Sequence, residues 1–430
     1  MLFPLYLHRS ARPRLITRHQ RISPRQCVLP RLVSGLSLPA SCPRRPIPAH
    51  LHRDQNNRRK SACVSWQPQP SPVAPSLLQY ASITNQTTIP PVAAQYSPTP
   101  AGLIGYLPKS WIPYAELIRL DKPTGTYYLF FPCLFSTLLA APLAVPMSHP
   151  SEVFVTSALF LTGALIMRGA GCTINDLWDR NLDPHVERTK LRPIARGAVS
   201  PRKAIIFTGF QLLAGLGILV QFPYQCLCYG IPSLVLVAAY PLAKRVTDYP
   251  QFVLGLTFSW GAIMGFPALG VDLVSQTDAL ATAAALYTSC IAWTILYDMI
   301  YAHMDIKDDV TAGIRSIAVR HQHNTKAVLS GLAVAQVTLL AVAGVASGAG
   351  PVFFFGSCGS AILSLGIMIW RVRLKEVKNC WWWFKHGCWI TGGGIALGMV
   401  GDYFARLSGL YQSEHEASTD QGHQSIANAA

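Results

Sequence analysis

From about Thr124 onward, apolar residues fall in blocks of roughly 20, separated by short polar stretches. Blocks of that length cross a bilayer as helices, and successive blocks lack the polar face that a soluble helix keeps. Nine spans are predicted, near residues 124–145, 151–174, 204–222, 226–243, 251–270, 279–300, 327–347, 351–370 and 386–407. The expected fold class is all-α, a polytopic membrane bundle of nine transmembrane helices preceded by a disordered arm.

The loops between these blocks carry a consistent charge signal. Arg180, Arg188, Lys190, Arg192, Arg196, Arg202 and Lys203 lie in the second loop, and Lys244 and Arg245 in the fourth. The sixth holds Lys307, Arg315, Arg320 and Lys326, and the eighth Arg371, Arg373, Lys375, Lys378 and Lys385. The odd-numbered loops hold no basic residue. Alternation of this kind supports the span assignment, because one missed helix would scramble it. By the positive-inside rule the even loops and the N-terminal side share one compartment.

Composition sharpens the picture at the N-terminus. Half of the 430 residues are hydrophobic and only 13% are charged, against about a quarter charged in ordinary soluble domains. The formal net charge is +16. Residues 1–60 hold twelve arginines and Lys60 against the single acid Asp54, so this segment supplies +12 of it. It contains serines and lacks a continuous apolar core, the composition of a mitochondrial presequence. Nucleic acid is not an expected partner, since the basic excess has no regular helix or aromatic interleaving. The domain reading is a targeting segment over 1–60, a Pro/Ser/Gln/Thr-rich disordered linker over 61–108, a membrane domain over 109–411 and a polar tail over 412–430. The eleven cysteines include no CxxC pair and have neither zinc spacing nor the look of a disulfide framework.

Two acidic clusters stand out in a chain with only twenty acids. NDLWDRNLD contains Asn175, Asp176, Asp179 and Asp183, whose carboxylates at i, i+3 and i+7 would share a helix face. YDMIYAHMDIKDD contains Asp298, Asp305, Asp308 and Asp309, of which Asp298, Asp305 and Asp309 share a face in the same way. Both clusters end a span on the same side, so they are placed to face each other across a bundle. Carboxylates gathered on one face repel unless a cation sits among them. Oxygen donors with a helper amide suit Mg²⁺, which bridges readily to substrate phosphates. A cation path for transport fits less well, because the acids lie at one side only.

Basic residues surround the acids. Arg188, Lys190 and Arg192 follow the first cluster, and Lys244 and Arg245 end the fourth span; each either neutralises phosphate or anchors the helix at the membrane surface. Arg119, Asp121 and Lys122 in RLDKPTG precede the first span, where Pro123 and Gly125 are placed to shape a pocket lip. Arg168 lies inside the second span, so it faces the interior with a partner, either an aromatic carboxylate or a nearby Asp. His303 stands between acids of the second cluster and reads as a structural histidine or a hydrogen-bonding group in the site. Asp298 is open between base, metal ligand and structural residue. The run Trp381–Trp383 beside Lys378 and Lys385 reads as an interfacial belt.

At NDLWDRNLD and at the Asp305–Asp309 DxxxD motif the chain resembles the UbiA-type membrane prenyltransferases. The resemblance runs from about Arg119 to Arg406 and includes RLDKPTG, YPLAKR and PQFVLGLTFSWGAIMGFPALG. RTKLRPIARG and YDMIYAHMDIKDD are similar to the branch that prenylates 4-hydroxybenzoate in coenzyme Q synthesis. The resemblance implies a nine-helix bundle with a central cavity open towards lipid. It implies Mg²⁺ held by Asn175, Asp176, Asp179 and Asp183 on one wall and by Asp305 and Asp309 on the other. Arg245 matches a position linked to the substrate diphosphate, with Arg188, Arg192, Lys244 and Lys122 as further diphosphate-binding residues. Asp179, Asp305 and Arg245 are the expected catalytic residues, and Arg168 and Arg119 the expected aromatic-acid ligands. Polyprenyl diphosphate and 4-hydroxybenzoate are the expected substrates, with membrane lipid and other coenzyme Q proteins as partners. The expected place is the mitochondrial inner membrane, active site towards the matrix. The alternative within the family is another acceptor, as in haem or meroterpenoid pathways.

Overall fold

The computed structural model describes residues 103–181, 183–185, 189–306 and 316–411. The predicted targeting segment, residues 61–102 of the linker, the polar tail, Arg188, Asp308 and Asp309 lie outside the described residues. Lys244 and Arg245 lie on a described helix, but their side chains are outside the description. Residues 103–108, assigned to the linker, are partly ordered: Leu103–Tyr106 form a 3₁₀ turn, and Ile104 is buried.

Among the described residues the structure is built of helices and turns. Helix α1 is Ile112–Leu117, α2 Thr124–Ala140 and α3 Pro150–Trp178. Then follow α4 Pro201–Leu219, α5 Tyr224–Val246, α6 Pro250–Phe258, α7 Gly261–Ala268 and α8 Thr277–Ala302. The chain continues through the short α9 Ile317–Arg320, α10 Thr325–Ala346 and α11 Pro351–Arg371, which carries a π-helical turn at Phe354–Cys358. Helices α12 Val377–Gly387 and α13 Gly394–Leu407 are joined by a second π turn, Cys388–Gly393.

The helix starts follow from local chemistry. Proline opens α3, α4, α6 and α11, where its missing N–H costs nothing. His149 and Glu152 form a reciprocal capping box on α3, and the Ser200 hydroxyl accepts from Lys203 N–H on α4.

All nine predicted spans fall on helix, and six described helices are long and apolar enough to cross a membrane. The fourth predicted span is α5, whose apolar stretch is Tyr224–Val237. The ninth is divided by the π turn between α12 and α13. The fifth is divided at Ser259–Trp260, between α6 and α7. That break is held by α2. The Ser136 hydroxyl donates to the Gly261 carbonyl at 2.8 Å and accepts the Gly265 N–H at 3.0 Å, bridging the first turn of α7 directly after the break. Gly265 has no side chain because any Cβ there would collide with the backbone of Ser136 and Thr137.

The core runs along α2 and α8. Thr124–Leu143 and Thr277–Ala302 are 61% and 67% buried over their most apolar stretch, against 28% and 22% for the outer spans α3 and α4. Phe131, Phe135, Trp293, Leu296, Met299 and Ile300 pack in one continuous cluster, which extends to Phe353, Leu365 and Ile395 of the last helices. This packing fixes the ends of α2, α3 and α8, where the polar residues collect.

Candidate functional site

The first acidic cluster sits at the C-terminal end of α3. The helix stops at Trp178, and Asp179 is its cap residue, with φ −88° and ψ 6°. Asp183 lies beyond, in a separate 3₁₀ turn, Asp183–His185. The expected single helical face for Asp176, Asp179 and Asp183 is therefore not formed. The turn nevertheless folds back, since Asp183 N–H donates to the Asp179 carbonyl at 2.9 Å.

Arginine gathers the carboxylates that the helix does not. Arg192 Nη1 is 3.0 Å from Asp183 Oδ2 and 3.3 Å from Asp176 Oδ1. It donates to both Asp183 oxygens at 3.0 Å. Arg119 Nη2 donates to the same Asp176 Oδ1 at 2.7 Å, and Arg119 Nη1 donates to the Glu116 carbonyl at 2.9 Å. Glu116 of α1 in turn pairs with Arg196. One chain of charges thus runs Asp183, Arg192, Asp176, Arg119 and ties α1 and the loop after α3 over the end of α3.

The backbone of Arg119 explains its reach. Leu120 N–H donates to the Ala115 carbonyl and Arg119 N–H to the Glu116 carbonyl, the pair of bonds that closes a helix with a left-handed residue. Arg119 occupies that left-handed position, at φ 61°, where glycine is usual. An L side chain there costs about 1–2 kcal/mol. The ion pair to a fully buried carboxylate offsets that cost, and the placement has the character of strain held at a functional site.

Asp176 is fully buried, and its second oxygen, Oδ2, has no hydrogen-bond partner among the described residues. A buried carboxylate oxygen with no donor is costly unless something else binds it. Asn175 is exposed and Asp179 half-buried, and among the described residues neither side chain has an ion pair or hydrogen bond. Carboxylates beside a side-chain amide are the oxygen donors a hard divalent cation takes. No three Asp, Glu, His or Cys side chains converge into a closed ligand shell among the described residues.

The second cluster lies at the end of α8. That helix ends at Ala302, so Asp298 is on its last turns and Asp305 in the following turn, both half-buried. With Asp309 outside the described residues, the expected shared face reduces to these two, and Asp305 is off the helix. His303 is the cap residue of α8. Its ring bonds the Met299 carbonyl through Nδ1 at 2.7 Å and Thr325 Oγ1 through Nε2 at 3.1 Å. Burial pushes the His303 imidazole below its ordinary value of 6.5, so it is neutral at neutral pH. Nδ1–H then donates to Met299, satisfying one of the free carbonyls at a helix end. The His303 ring thereby ties α8 to α10.

Arg168 separates from Arg119 in kind. It is half-buried within α3, and among the described residues its guanidinium has no ion pair or hydrogen bond. It lies over Gly125 at the start of α2, where a Cβ would stand 2.5 Å from Nε and 2.9 Å from Nη2. Lys122, in the same RLDKPTG lip, is exposed and 3.4 Å from Asp121. An apolar groove of about 260 Å³ opens beside this turn, lined among others by Ile118, Ile166, Phe207 and Phe210. The Glu116–Arg196 pair and the role of Gly125 were not legible in the sequence. A lone Glu and a Gly before an apolar block give no signal of what they meet in space.

Comparison with known proteins adds to this geometry. Residues 129–390 match the model of the UbiA prenyltransferase family. The chain is 47% identical over 307 residues to the mitochondrial 4-hydroxybenzoate polyprenyltransferase of Schizosaccharomyces pombe, covering 71% of this chain and 83% of that protein. It is 45% identical over 312 residues to the protein of the same name from Saccharomyces cerevisiae, covering 71% and 80%. A solved UbiA homolog from Aeropyrum pernix K1 superposes with a TM-score of 0.52 at 22% identity, covering 64% of this chain and 98% of that one. A UbiA homolog from Archaeoglobus fulgidus, solved with GPP and Mg²⁺, gives 0.51 at 16% identity, covering 68% and 99%. The two solved structures speak to the fold.

Proposed function

The chain belongs to the UbiA prenyltransferase family, and from that membership we propose that it moves a polyprenyl group from polyprenyl diphosphate onto 4-hydroxybenzoate. The new bond forms at the ring carbon ortho to the hydroxyl, giving 3-polyprenyl-4-hydroxybenzoate in ubiquinone synthesis. Relatives of that name from S. pombe and S. cerevisiae, matched over most of their length, support the acceptor. The single observation that carries the site is Asp176, buried, gripped through one oxygen by two arginines and unpartnered at the other.

Mg²⁺ fits these donors. Asn175, Asp176, Asp179 and Asp183 would hold it on one wall, and Asp305 and Asp309 on the other. When bound it supplies Lewis acidity to the departing diphosphate. The remaining work belongs to the chain's own side chains. Arg192 stands at the acidic cluster, Arg188 follows it in sequence, Lys122 precedes the first span, and Lys244 and Arg245 end the fourth; their charges balance the phosphate oxygens as the allylic C–O bond breaks. The apolar bundle keeps water from the allylic cation, and the groove beside Ile118 suits the isoprenoid tail. Arg168 receives the acceptor carboxylate and turns the ring carbon towards the cation, because the Arg119 guanidinium is taken up by Asp176. The C–C bond then forms and the ring proton leaves.

The reading extends to place. The basic even loops, by the positive-inside rule, support a site facing the matrix side of the mitochondrial inner membrane.

Arg168→Gln tests the assignment of the acceptor. Losing one charge-assisted contact is expected to raise KM for 4-hydroxybenzoate about 10–100-fold while KM for the diphosphate holds. Equal losses for both substrates contradict it.

A further inference from the structure

Helix α12 carries a surface that prenyl transfer does not use. Lys378, Trp382 and Lys385 stand at i, i+4 and i+7 and are all exposed, while Cys380, Trp383 and Gly387 on the other face are buried. The exposed stripe therefore alternates cation, indole, cation. His386 stacks on Trp382 with ring centroids 4.6 Å apart, which fixes the indole. The end of α11 and the loop leading into α12 add exposed Arg371, Arg373 and Lys375 against one acid, Glu376, which Arg373 pairs at 3.2 Å. Among the described residues neither Lys378 nor Lys385 has an ion pair or hydrogen bond.

The surface lies at a membrane boundary, beside the site. Arg371 ends the membrane-spanning α11, and its guanidinium lies 5.5 Å from the exposed Trp370 ring. Phe384, on α12, packs on Tyr301 of α8 at 4.7 Å, one turn before Asp305. The stripe thus lies at the depth where α8 leaves the bilayer. Indoles favour the headgroup layer, and clustered Lys and Arg there attract anionic lipid, each by about 1 kcal/mol.

We propose that α12 and the loop before it bind anionic phospholipid headgroups, with Lys378 and Lys385 on the phosphodiester and Trp382 at headgroup depth. Charge complementarity selects this occupant, because a zwitterionic headgroup brings its own cation to the same lysines. The test uses the full chain in nanodiscs of phosphatidylcholine with a minority of phosphatidylglycerol. The chain is re-extracted in mild detergent, and its retained lipid is measured by mass spectrometry at low and high salt. Phosphatidylglycerol is expected to be enriched about fivefold over the bulk ratio at low salt and to approach that ratio at high salt. Lys378→Gln/Lys385→Gln is expected to remove most of the enrichment, and Lys378→Arg/Lys385→Arg to keep it. Retention at the bulk ratio, or equal enrichment in the wild type and the glutamine variant, overturns the proposal.

Discussion

Arg119 reaches Asp176 across 57 positions of sequence, Nη2 to Oδ1 at 2.7 Å, from a left-handed backbone. Removing a partner of a buried carboxylate costs about 3–5 kcal/mol, and Arg192 on the same oxygen brings the expected loss to the lower end. The backbone adds a second signature. Arg119→Gly relieves the left-handed strain and Arg119→Ala does not, so the glycine variant is expected to be about 1 kcal/mol the more stable. Thermal melts of the two in detergent check this; an alanine variant equal to or better than glycine contradicts the strain.

Much of the bundle is legible in the sequence because bilayer spans are long and apolar, and loop charge alternates. What is not legible depends on tertiary contact. The turn directly after the break at Ser259–Trp260 is bridged by Ser136 of a distant helix, and nothing local announces that. The end of α3 at Trp178 has neither Gly nor Pro to mark it, so the spacing of Asp176, Asp179 and Asp183 read as one face. The acids and Arg192 were found as candidates. Arg119 suits an acceptor carboxylate by residue type, and only geometry places it on Asp176.

The Ser136 hydroxyl carries a measurable share of stability. Ser136→Ala removes the hydroxyl to which the buried Gly265 N–H donates, at an expected cost of about 0.5–1.5 kcal/mol. The melting temperature is expected to fall while the metal requirement of turnover is unchanged.

Gly125 keeps the place of the Arg168 guanidinium. A methyl group there would stand 2.5 Å from Nε, so Gly125→Ala is expected to displace the arginine. KM for 4-hydroxybenzoate is expected to rise about tenfold with KM for the polyprenyl diphosphate unchanged, about the effect of one weakened charged contact. An unchanged acceptor KM would separate Arg168 from acceptor binding.

His303 sets a pH dependence of stability. Its folded value is lowered by burial, so its contribution is fully present above the free value of 6.5 and is lost as pH falls through the depressed folded value. The wild type is expected to lose melting temperature as pH falls from 6.5 through the folded value, and His303→Asn to lose less. Parallel pH profiles would remove His303 from the acid response.

Turnover with purified protein tests the central claim most directly. The chain is assayed with 4-hydroxybenzoate, a polyprenyl diphosphate and Mg²⁺, with EDTA as control and Asp179→Ala and Asp305→Ala in parallel. The expected result is 3-polyprenyl-4-hydroxybenzoate from the wild type, none with EDTA, and a loss of about 100-fold or more in each variant. Full turnover in EDTA, or in either variant, would contradict the account of these acids. Folded protein that makes no product from 4-hydroxybenzoate would contradict the acceptor.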